Sequence, residues 1–188
     1  MLAIIFFILS GLIMSNEKQI FDFNSPETSG EWRIVNDGVM GGVSKSNIKL
    51  SDEGTVNFSG TLSPDNNGGF ASIRAYLKND DMAGYDGVII KAKGDGNLYN
   101  IRFRTNNNYD GPSYQAKFRS DTEEWYEFKI PFKDFKPTFR GRIVPNQPEL
   151  ISNNIKQIGI LIADKQFGKF ELEIDWIKFY KEVEEIWT

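Results

Sequence analysis

The chain has 188 residues, of which 40% are hydrophobic and 14% aromatic, and its formal net charge is −4 with a pI near 5.0. This length predicts one domain with one sizeable core, and the acidic balance argues against an extended basic surface for nucleic acid. The sequence has no histidine and no cysteine, which excludes Ser-His-Asp triads, Cys-His pairs and the usual zinc sites. Carboxylate chemistry, lysine chemistry and oxygen-ligated hard cations remain.

The first 14 residues, MLAIIFFILSGLIM, form an almost unbroken apolar run before the polar SNEKQ. The run is shorter than the roughly 20 residues of a transmembrane helix. It resembles the apolar part of a secretory signal, without a preceding Lys or Arg or a clear A-x-A cleavage site. Three interpretations stay open: a signal-like segment for export, a membrane anchor, or a cytoplasmic product whose translation starts at Met14. We therefore treat residues 1–14 as a separate segment and residues 15–188 as a single β-sandwich domain.

A glycine-rich stretch, DGVMGGVSKS, begins at Asp37. A phosphate-binding loop needs a following helix N-terminus and commonly a Gly-Lys-Ser/Thr ending, whereas the alternation in the SNIKL that follows predicts a strand. We therefore interpret the stretch as a tight corner whose glycines supply positive φ or close backbone approach. Asp37 and Ser44 are expected to bond turn amides, and Met40 to pack inward. As a candidate binding loop, the stretch supplies Asn36, Asp37, Met40 and Ser44.

From Ile20 onward the hydrophobic pattern has a period of two, which is typical of β-strands. Turn-forming clusters such as SPDNNGG, GDGN and NNNYDGPS separate the runs. The clearest strands are predicted at Gly54 to Leu62, Gly69 to Leu77, Asp86 to Gly94, Asn97 to Thr105, Trp125 to Phe132, Ile155 to Ala163 and Phe170 to Tyr180. Because these short strands show no βα alternation, they indicate an all-β, antiparallel β-sandwich or jelly roll.

Two of the predicted strands place arginines on their more polar faces. Arg102 and Arg104 share one face of NLYNIRFRT, and Arg74 shares a face with Tyr76 in GFASIRAYL. If these strands are neighbours, the arginines form a surface suited to a carbohydrate, a carboxylate or an acidic partner segment. The alternative is a solvated face whose arginines pair with local acids. Arg140, in the turn-rich PTFRGR, is expected to lie over one end of the sandwich.

Oxygen ligands for a cation are available in the first and last strands. Asp22 and Asn24 come close to Glu173 and Asp175 if the terminal strands pair, but Ca²⁺ takes six or more oxygens and no EF-hand spacing is present. We therefore expect no cofactor, with Ca²⁺ on these residues as the alternative.

Carboxylates for an acid–base glycosidase are also present, yet most lie in apparent turns, where Asp side chains commonly bond the backbone. A protein without enzymatic activity is the expectation, and a glycosidase is the alternative.

The stretch from Phe21 to Ser46, FDFNSPETSGEWRIVNDGVMGGVSKS, resembles the opening of the complex I intermediate-associated protein 30 family. It has a short aromatic strand, a Trp and then an Asp-Gly-Val-Met-Gly-Gly-Val-Ser turn. The likeness continues in the family's order through GFASIRA, YDGVIIKAKGDGNLYNIRFRT, YQAKF, WYEFKIPFKDFKPTFRGR and IKQIGILIADKQFGKFELEIDWIKFY. This resemblance implies a galactose-binding-domain-like β-sandwich, akin to carbohydrate-binding jelly rolls, in agreement with the strand pattern.

For function, the resemblance implies a chaperone-like role in assembling respiratory NADH:ubiquinone oxidoreductase, as in the mitochondrial members. This chain departs from them by being nearly all domain, without an evident Arg-rich transit peptide. We expect a non-enzymatic binding or assembly module whose partner is a protein, such as an assembly intermediate of a membrane complex. The alternative is a carbohydrate-binding module that uses exposed aromatic side chains, Tyr76, Tyr99 and Tyr114, beside Arg104.

Overall fold

The computed structural model describes residues 16–24, 31–78, 82–120 and 124–182. Within these ranges the strands are β1 (Glu17–Asp22), β2 (Trp32–Ile34), β3 (Lys45–Leu50), β4 (Val56–Leu62), β5 (Ala71–Tyr76), β6 (Gly87–Gly94), β7 (Leu98–Arg104), β8 (Ser113–Arg119), β9 (Tyr126–Pro131), β10 (Lys136–Phe139), β11 (Arg142–Ile143), β12 (Gln157–Ile162) and β13 (Gly168–Tyr180). Short 3₁₀ turns lie at Asp37–Met40, Asp65–Asn67, Phe132–Asp134 and Ser152–Asn154. Across the same ranges, no helix has the length and apolar character needed to span a bilayer. The N-terminal segment 1–14 lies outside the described residues.

The strands form two sheets, and every pairing is antiparallel. One sheet has the order β3-β4-β13-β6-β9, with β1 also paired to β13, and the other has the order β11-β10-β8-β7-β12-β5-β2. The long strand β13 pairs along one edge with β4 over its first half and with β1 over its second half. The predicted antiparallel β-sandwich is confirmed. The seven predicted strands correspond to β4, β5, β6, β7, β9, β12 and β13, each within two residues at either end.

The core contains the inward-facing side chains of the two sheets, with aromatic rings in contact across it. Phe103 and Phe179, for example, have ring centroids 5.7 Å apart. Tyr99 and Tyr114 also belong to this core, since they are 0% and 5% exposed and pair with Phe118 and Phe103 on neighbouring strands. The prediction that these tyrosines form an exposed binding surface is therefore wrong. Their place in the strand alternation puts them on the inward face, where the Tyr114 hydroxyl donates to a backbone carbonyl.

Candidate functional site

The first candidate region, which we call the glycine corner, is the segment 36–44. It is built around the Asp37 carboxylate, which is 1% exposed. Oδ1 accepts a hydrogen bond from the amide of Ser44 at 3.0 Å, and Oδ2 accepts from the amides of Gly69 at 2.6 Å and Phe70 at 3.4 Å. Burial acts to raise the pKa of Asp37, but the hydrogen bonds from the Ser44 hydroxyl and the amides outweigh it, so the pKa lies below its usual value. Asp37 is therefore ionised at neutral pH and joins the corner to the segment before β5.

Two glycines leave room for the Asp37 carboxylate because they have no Cβ atom. A Cβ added to Gly42 would lie 2.4 Å from Cγ of Asp37, and one added to Gly68 would lie 2.5 Å from its Oδ2. Gly41 ends the 3₁₀ turn with a φ of +89°, a conformation that side chains other than glycine rarely adopt. The interpretation of the stretch as a structural corner agrees with this arrangement.

Two further side chains of the corner bind neighbouring segments. The Asn36 Oδ1 accepts from the hydroxyl of Ser46 in β3 at 2.8 Å. The Ser44 Oγ accepts from the amide of Ser63 at 3.0 Å. The expected bonding of turn amides by Asp37 and Ser44 is therefore observed, and these bonds hold the corner in one conformation.

Met40 is 60% exposed, so the prediction that it packs inward is wrong. The amides that point into the corner require an acceptor, which Asp37 supplies and a thioether does not. Met40 instead lies on the outside together with Val39 and Val43, which are 61% and 45% exposed. The corner thus combines a polar interior with an apolar exterior.

The second candidate region, which we call the arginine face, is the outward surface of the seven-stranded sheet that carries Arg33, Arg74, Arg102 and Arg104. The register pairs Arg33 of β2 with Arg74 of β5, and it pairs both Arg74 and Arg102 with Gly159 of β12. The strands that bear the three predicted arginines are therefore not direct neighbours, but β12 joins them. Since Gly159 has no side chain, a gap remains between Arg74 and Arg102.

The most buried arginines of this face bind neutral acceptors. Arg102 donates through Nε and Nη2 to Oε1 of Gln115 at 3.1 and 2.9 Å, and Arg104 donates to the carbonyl oxygen of Gly111 at 2.6 Å. Burial, followed by the charges of Arg104 and Arg74, lowers the pKa of Arg102 to about 10. Burial, followed by the charge of Arg74, lowers the pKa of Arg104 to about 10 as well. Both groups remain protonated at neutral pH, so the face keeps its positive charge.

The arginines nearer the sheet edge contact tyrosines. Arg74 donates to the carbonyl oxygen of Tyr109 at 2.8 Å, and its guanidinium carbon lies 5.6 Å from that ring's centroid. The guanidinium carbon of Arg33 lies 4.4 Å from the centroid of the Tyr76 ring, while its Nε and Nη2 are buried without a hydrogen-bond partner among the described residues. The sequence prediction missed Arg33 because β2 is only three residues long. The available sequence signal is that Arg33 follows Trp32. Because Trp32 packs against the core, strand alternation puts Arg33 on the outward side.

No carboxylate forms an ion pair with these four arginines in the described part of the chain. The alternative of arginines paired with local acids is therefore wrong for this face. Arg140, which has a φ of 47°, lies at its rim, because its partner Asp110, at 3.1 Å, belongs to the loop whose carbonyls bind Arg74 and Arg104.

The structure does not bring the glycine corner and the arginine face together. Asp37 bonds the amide of Phe70, whereas Arg74 lies four residues further along the chain. At the usual rise of a strand, this is a separation of about 13 Å. The glycine corner, which links β2 of one sheet to β3 of the other, therefore lies beyond the end of β5 and apart from the arginine face.

The candidate cation ligands are already engaged with protein groups. β1 and β13 pair as expected, but Glu173 and Asp175 each form an ion pair with a lysine of β6, at 2.7 and 2.8 Å. The carboxylate of Asp22 accepts from the backbone and side-chain amides of Asn24. Over the described ranges, no group of three or more acidic side chains is arranged to hold a metal ion. The geometry adds no support for a Ca²⁺ site here.

Comparison with solved structures supports the fold. A family 11 carbohydrate-binding module from Clostridium thermocellum, in complex with a β-1,3-1,4-mixed-linked tetrasaccharide, superposes with a TM-score of 0.65 at 22% identity, covering 91% of this chain and 99% of that one. A family 29 carbohydrate-binding module superposes with a TM-score of 0.53 at 12% identity, covering 92% and 96%. The fold is thus a jelly roll of the galactose-binding-like kind.

Comparison of sequences gives the family. The family model described as complex I intermediate-associated protein 30 matches residues 21–174. The mitochondrial protein of that name from Drosophila melanogaster is 27% identical over 180 residues, and that from Mus musculus is 26% identical over 189 residues. These alignments cover 84% and 90% of this chain but only 61% and 58% of the two relatives. An uncharacterized protein of Schizosaccharomyces pombe is 32% identical over 178 residues, covering 83% and 81%. The chain belongs to the complex I intermediate-associated protein 30 family.

Proposed function

We propose that the chain is a non-enzymatic binding module that assists the assembly of a respiratory membrane complex by holding a protein partner. The observation that carries this proposal is the family match over residues 21–174. Relatives from fly and mouse bear the name complex I intermediate-associated protein 30, mitochondrial. The chain spans about three fifths of the length of these relatives. The role in complex I assembly that their names give is therefore proposed for this chain.

The chemistry of the described residues supports a binding role over an enzymatic one. The sequence has no histidine or cysteine, so a general base at neutral pH would have to be a carboxylate or a lysine. The most deeply buried carboxylate, that of Asp37, accepts three amide hydrogen bonds. A proton transfer at Asp37 would disrupt the corner, which argues against a catalytic role for this group.

The proposed function also implies a subcellular location. The fly and mouse relatives are named mitochondrial, which fits work at a membrane that carries a respiratory complex. We therefore expect the native protein to fractionate with such a membrane. Cell fractionation followed by intact-mass measurement tests this, and it also shows whether residues 1–14 are present in the native protein. Recovery in a fraction free of respiratory complexes would contradict the proposed place of action.

Deletion of the gene in the organism that encodes the chain is the direct test of function. We expect partly assembled forms of the respiratory complex to accumulate on native gels, and we expect re-expression of the wild-type chain to restore the complete complex. Pulse-labelling of the complex subunits separates slow assembly from fast degradation. Assembly at a normal rate and yield in the deletion strain would overturn the proposal.

Carbohydrate binding is the second candidate function, favoured by the superposition on a carbohydrate-binding module with its tetrasaccharide. Two exposed tyrosines beside the arginine face, Tyr76 and Tyr109, are 45% and 55% exposed and offer aromatic surface. Calorimetry with a mixed-linked β-glucan oligosaccharide, with and without Ca²⁺, tests this candidate together with a glycan array. Binding heat that disappears in Tyr109→Ala would support it, and the absence of binding to any glycan would contradict it.

A further inference from the structure

The arginine face is dominated by hydrogen-bond donors. The carboxylates nearest to its arginines, Asp110 and Asp164, are ion-paired to Arg140 and Lys117. Each guanidinium group has five N–H donors and no hydrogen-bond acceptor. Gln157 and Asn100, which lie on the same outward side of the sheet, each have a side-chain oxygen without a hydrogen-bond partner among the described residues, but they are 0% and 2% exposed and so do not reach a ligand. A surface whose charged groups all donate matches a ligand that only accepts, such as an ionised carboxylate, better than a sugar hydroxyl, which also donates.

The shape of the face favours a small planar group. The gap over Gly159, between Arg74 and Arg102, has a volume of about 10 Å³. This is room for about one water-sized group, which a carboxylate oxygen fits and a sugar ring exceeds. Arg74, Arg102 and Arg104 all line this gap, so N–H groups that they do not donate to Tyr109, Gln115 or Gly111 are available to share the two oxygens of a carboxylate.

The aromatic rings at this face already have cationic neighbours. The guanidinium carbon of Arg33 lies 4.4 Å from the Tyr76 ring centroid, and that of Arg74 lies 5.6 Å from the Tyr109 ring centroid. A sugar that stacked on the same side of these rings would displace the guanidinium groups from them. A carboxylate approaching the guanidinium groups leaves both contacts in place.

The charge distribution selects the sign of the ligand. The chain has a net charge of −4, yet the arginine face has four cations without an ion-paired carboxylate among the described residues. An acidic segment is therefore repelled by the net charge of the protein and attracted by the arginine face, which directs where it docks.

From these observations we propose that the arginine face is a carboxylate-binding site that takes an acidic, Asp/Glu-rich segment of the partner protein. The existence of that partner rests on the proposed function, whereas the preference of the face for carboxylates does not. Arg33 and Arg74 contact the segment at the sheet edge, and Arg102 holds a carboxylate over Gly159.

The test is fluorescence anisotropy of the full chain with a fluorescein-labelled oligoglutamate peptide, compared with the matching oligoglutamine peptide. We expect binding of the glutamate peptide alone, weakening as salt rises. Combined Arg33→Gln and Arg74→Gln changes should weaken it by about tenfold or more, since two charge-assisted contacts are lost. Arg142→Gln, at an exposed arginine at the far edge of the same sheet, is the matched control and should change binding by less than about twofold.

A second measurement does not depend on peptide design. At equal ionic strength, citrate should raise the melting temperature of the wild-type chain more than that of the Arg33→Gln, Arg74→Gln double variant, because only the wild type gains specific binding. The general effect of an excluded salt is common to both proteins. Equal shifts in both, or equal loss of peptide binding in Arg142→Gln, would overturn the site.

The outcomes separate this inference from the proposed function. Binding of polygalacturonate without binding of oligoglutamate would overturn the acidic-peptide site and assign the face to acidic glycans. Normal complex assembly in the deletion strain, combined with specific oligoglutamate binding, would overturn the proposed function and leave the site standing. Defective assembly combined with no preference for glutamate over glutamine would overturn the site and leave the function standing.

Discussion

The glycine corner and the arginine face both remove charge from water, but they do so with different partners. In the corner, one carboxylate that is 1% exposed accepts three hydrogen bonds from backbone amides. On the face, four like charges lie close together, and three of them donate to neutral oxygens of Gln115 and of backbone carbonyls.

This difference separates a structural charge from a functional one. A buried charge with a complete set of partners fixes a conformation, whereas a cluster of like charges without counterions costs stability and is retained where a ligand needs it. The corner should therefore respond to mutation through folding and the face through binding.

Removal of the Asp37 carboxylate should have the largest effect on stability. Asp37→Ala leaves three amides without their acceptor, and at about 1 kcal/mol or more each the free energy of unfolding should fall by at least about 3 kcal/mol. Urea unfolding measures this loss. The control is Asp52→Ala, at an exposed turn aspartate, which should change stability by less than about 0.5 kcal/mol. Equal effects of the two changes would show that the corner does not depend on its carboxylate.

The glycines of the corner should form a graded series when each is changed to alanine. Gly42→Ala places a Cβ against Asp37 and should cost about 2 kcal/mol. Gly41→Ala meets no atom within 4 Å but keeps a φ of +89°, which should cost about 1 kcal/mol. Gly38→Ala meets neither obstacle and should be nearly neutral or slightly stabilising. Any other order in urea unfolding would contradict this account of the corner.

Acid should weaken the wild-type chain partly through Asp37. The pKa of this group in the folded chain lies below its ordinary value of 3.8, so its contribution to stability is complete above that value and is lost as the pH falls through the folded pKa. Asp37→Asn lacks this titrating group. The free energy of unfolding, measured from about pH 7 to about pH 3, should therefore fall less steeply below about pH 4 in the variant than in the wild type. Parallel curves would contradict the assignment.

In contrast to Asp37→Ala, Arg74→Gln should raise the free energy of unfolding or leave it unchanged. The change loses one hydrogen bond to the carbonyl of Tyr109, but it relieves repulsion by the charge of Arg33, which together with burial lowers the pKa of Arg74. We expect the free energy of unfolding to be unchanged or to rise by up to about 1 kcal/mol. A loss comparable to that of Asp37→Ala would make Arg74 a structural residue.

Met40→Ser should have the smallest effect. Because the side chain is 60% exposed, its replacement by a polar group should change the free energy of unfolding by less than about 0.5 kcal/mol. Val56→Ser, at a side chain that is 3% exposed, is the contrasting variant and should destabilise clearly. If Met40→Ser were as damaging as Val56→Ser, the outward position of Met40 would be wrong.

The sequence was informative where a strand is long and its alternation is clear. Runs such as those of β5 and β7 predict their own bounds and also which side chains share a face, because the side-chain period of a strand is fixed. That is why Arg74, Arg102 and Arg104 were grouped correctly on one surface. The fold class followed from the same pattern and from the family resemblance.

Other features depend on which strands become neighbours and on what fills tight turns. Gly159 could not be placed between Arg74 and Arg102, because the position of β12 between β5 and β7 is a property of the topology. The predicted inward packing of Met40 relied on hydrophobicity, whereas a corner of converging amides prefers a carboxylate. The prediction of Tyr114 as a binding residue rests on its side-chain chemistry, although its alternation with neighbouring residues indicates the core.

The central position of β13 has a consequence for biosynthesis. Strands β4 and β6 flank it on either side, and β1 also pairs with it, so that the Lys178–Glu17 contact joins residues 161 positions apart. A nascent chain can form the hairpin of β3 and β4, but this sheet cannot close until residues 168–180 have left the ribosome. Until then, the edges of β4 and β6 lack their native neighbour and are open to pairing with other chains. We therefore expect the six-stranded sheet to need chaperone protection during translation, a need that its stability in the finished protein does not reveal.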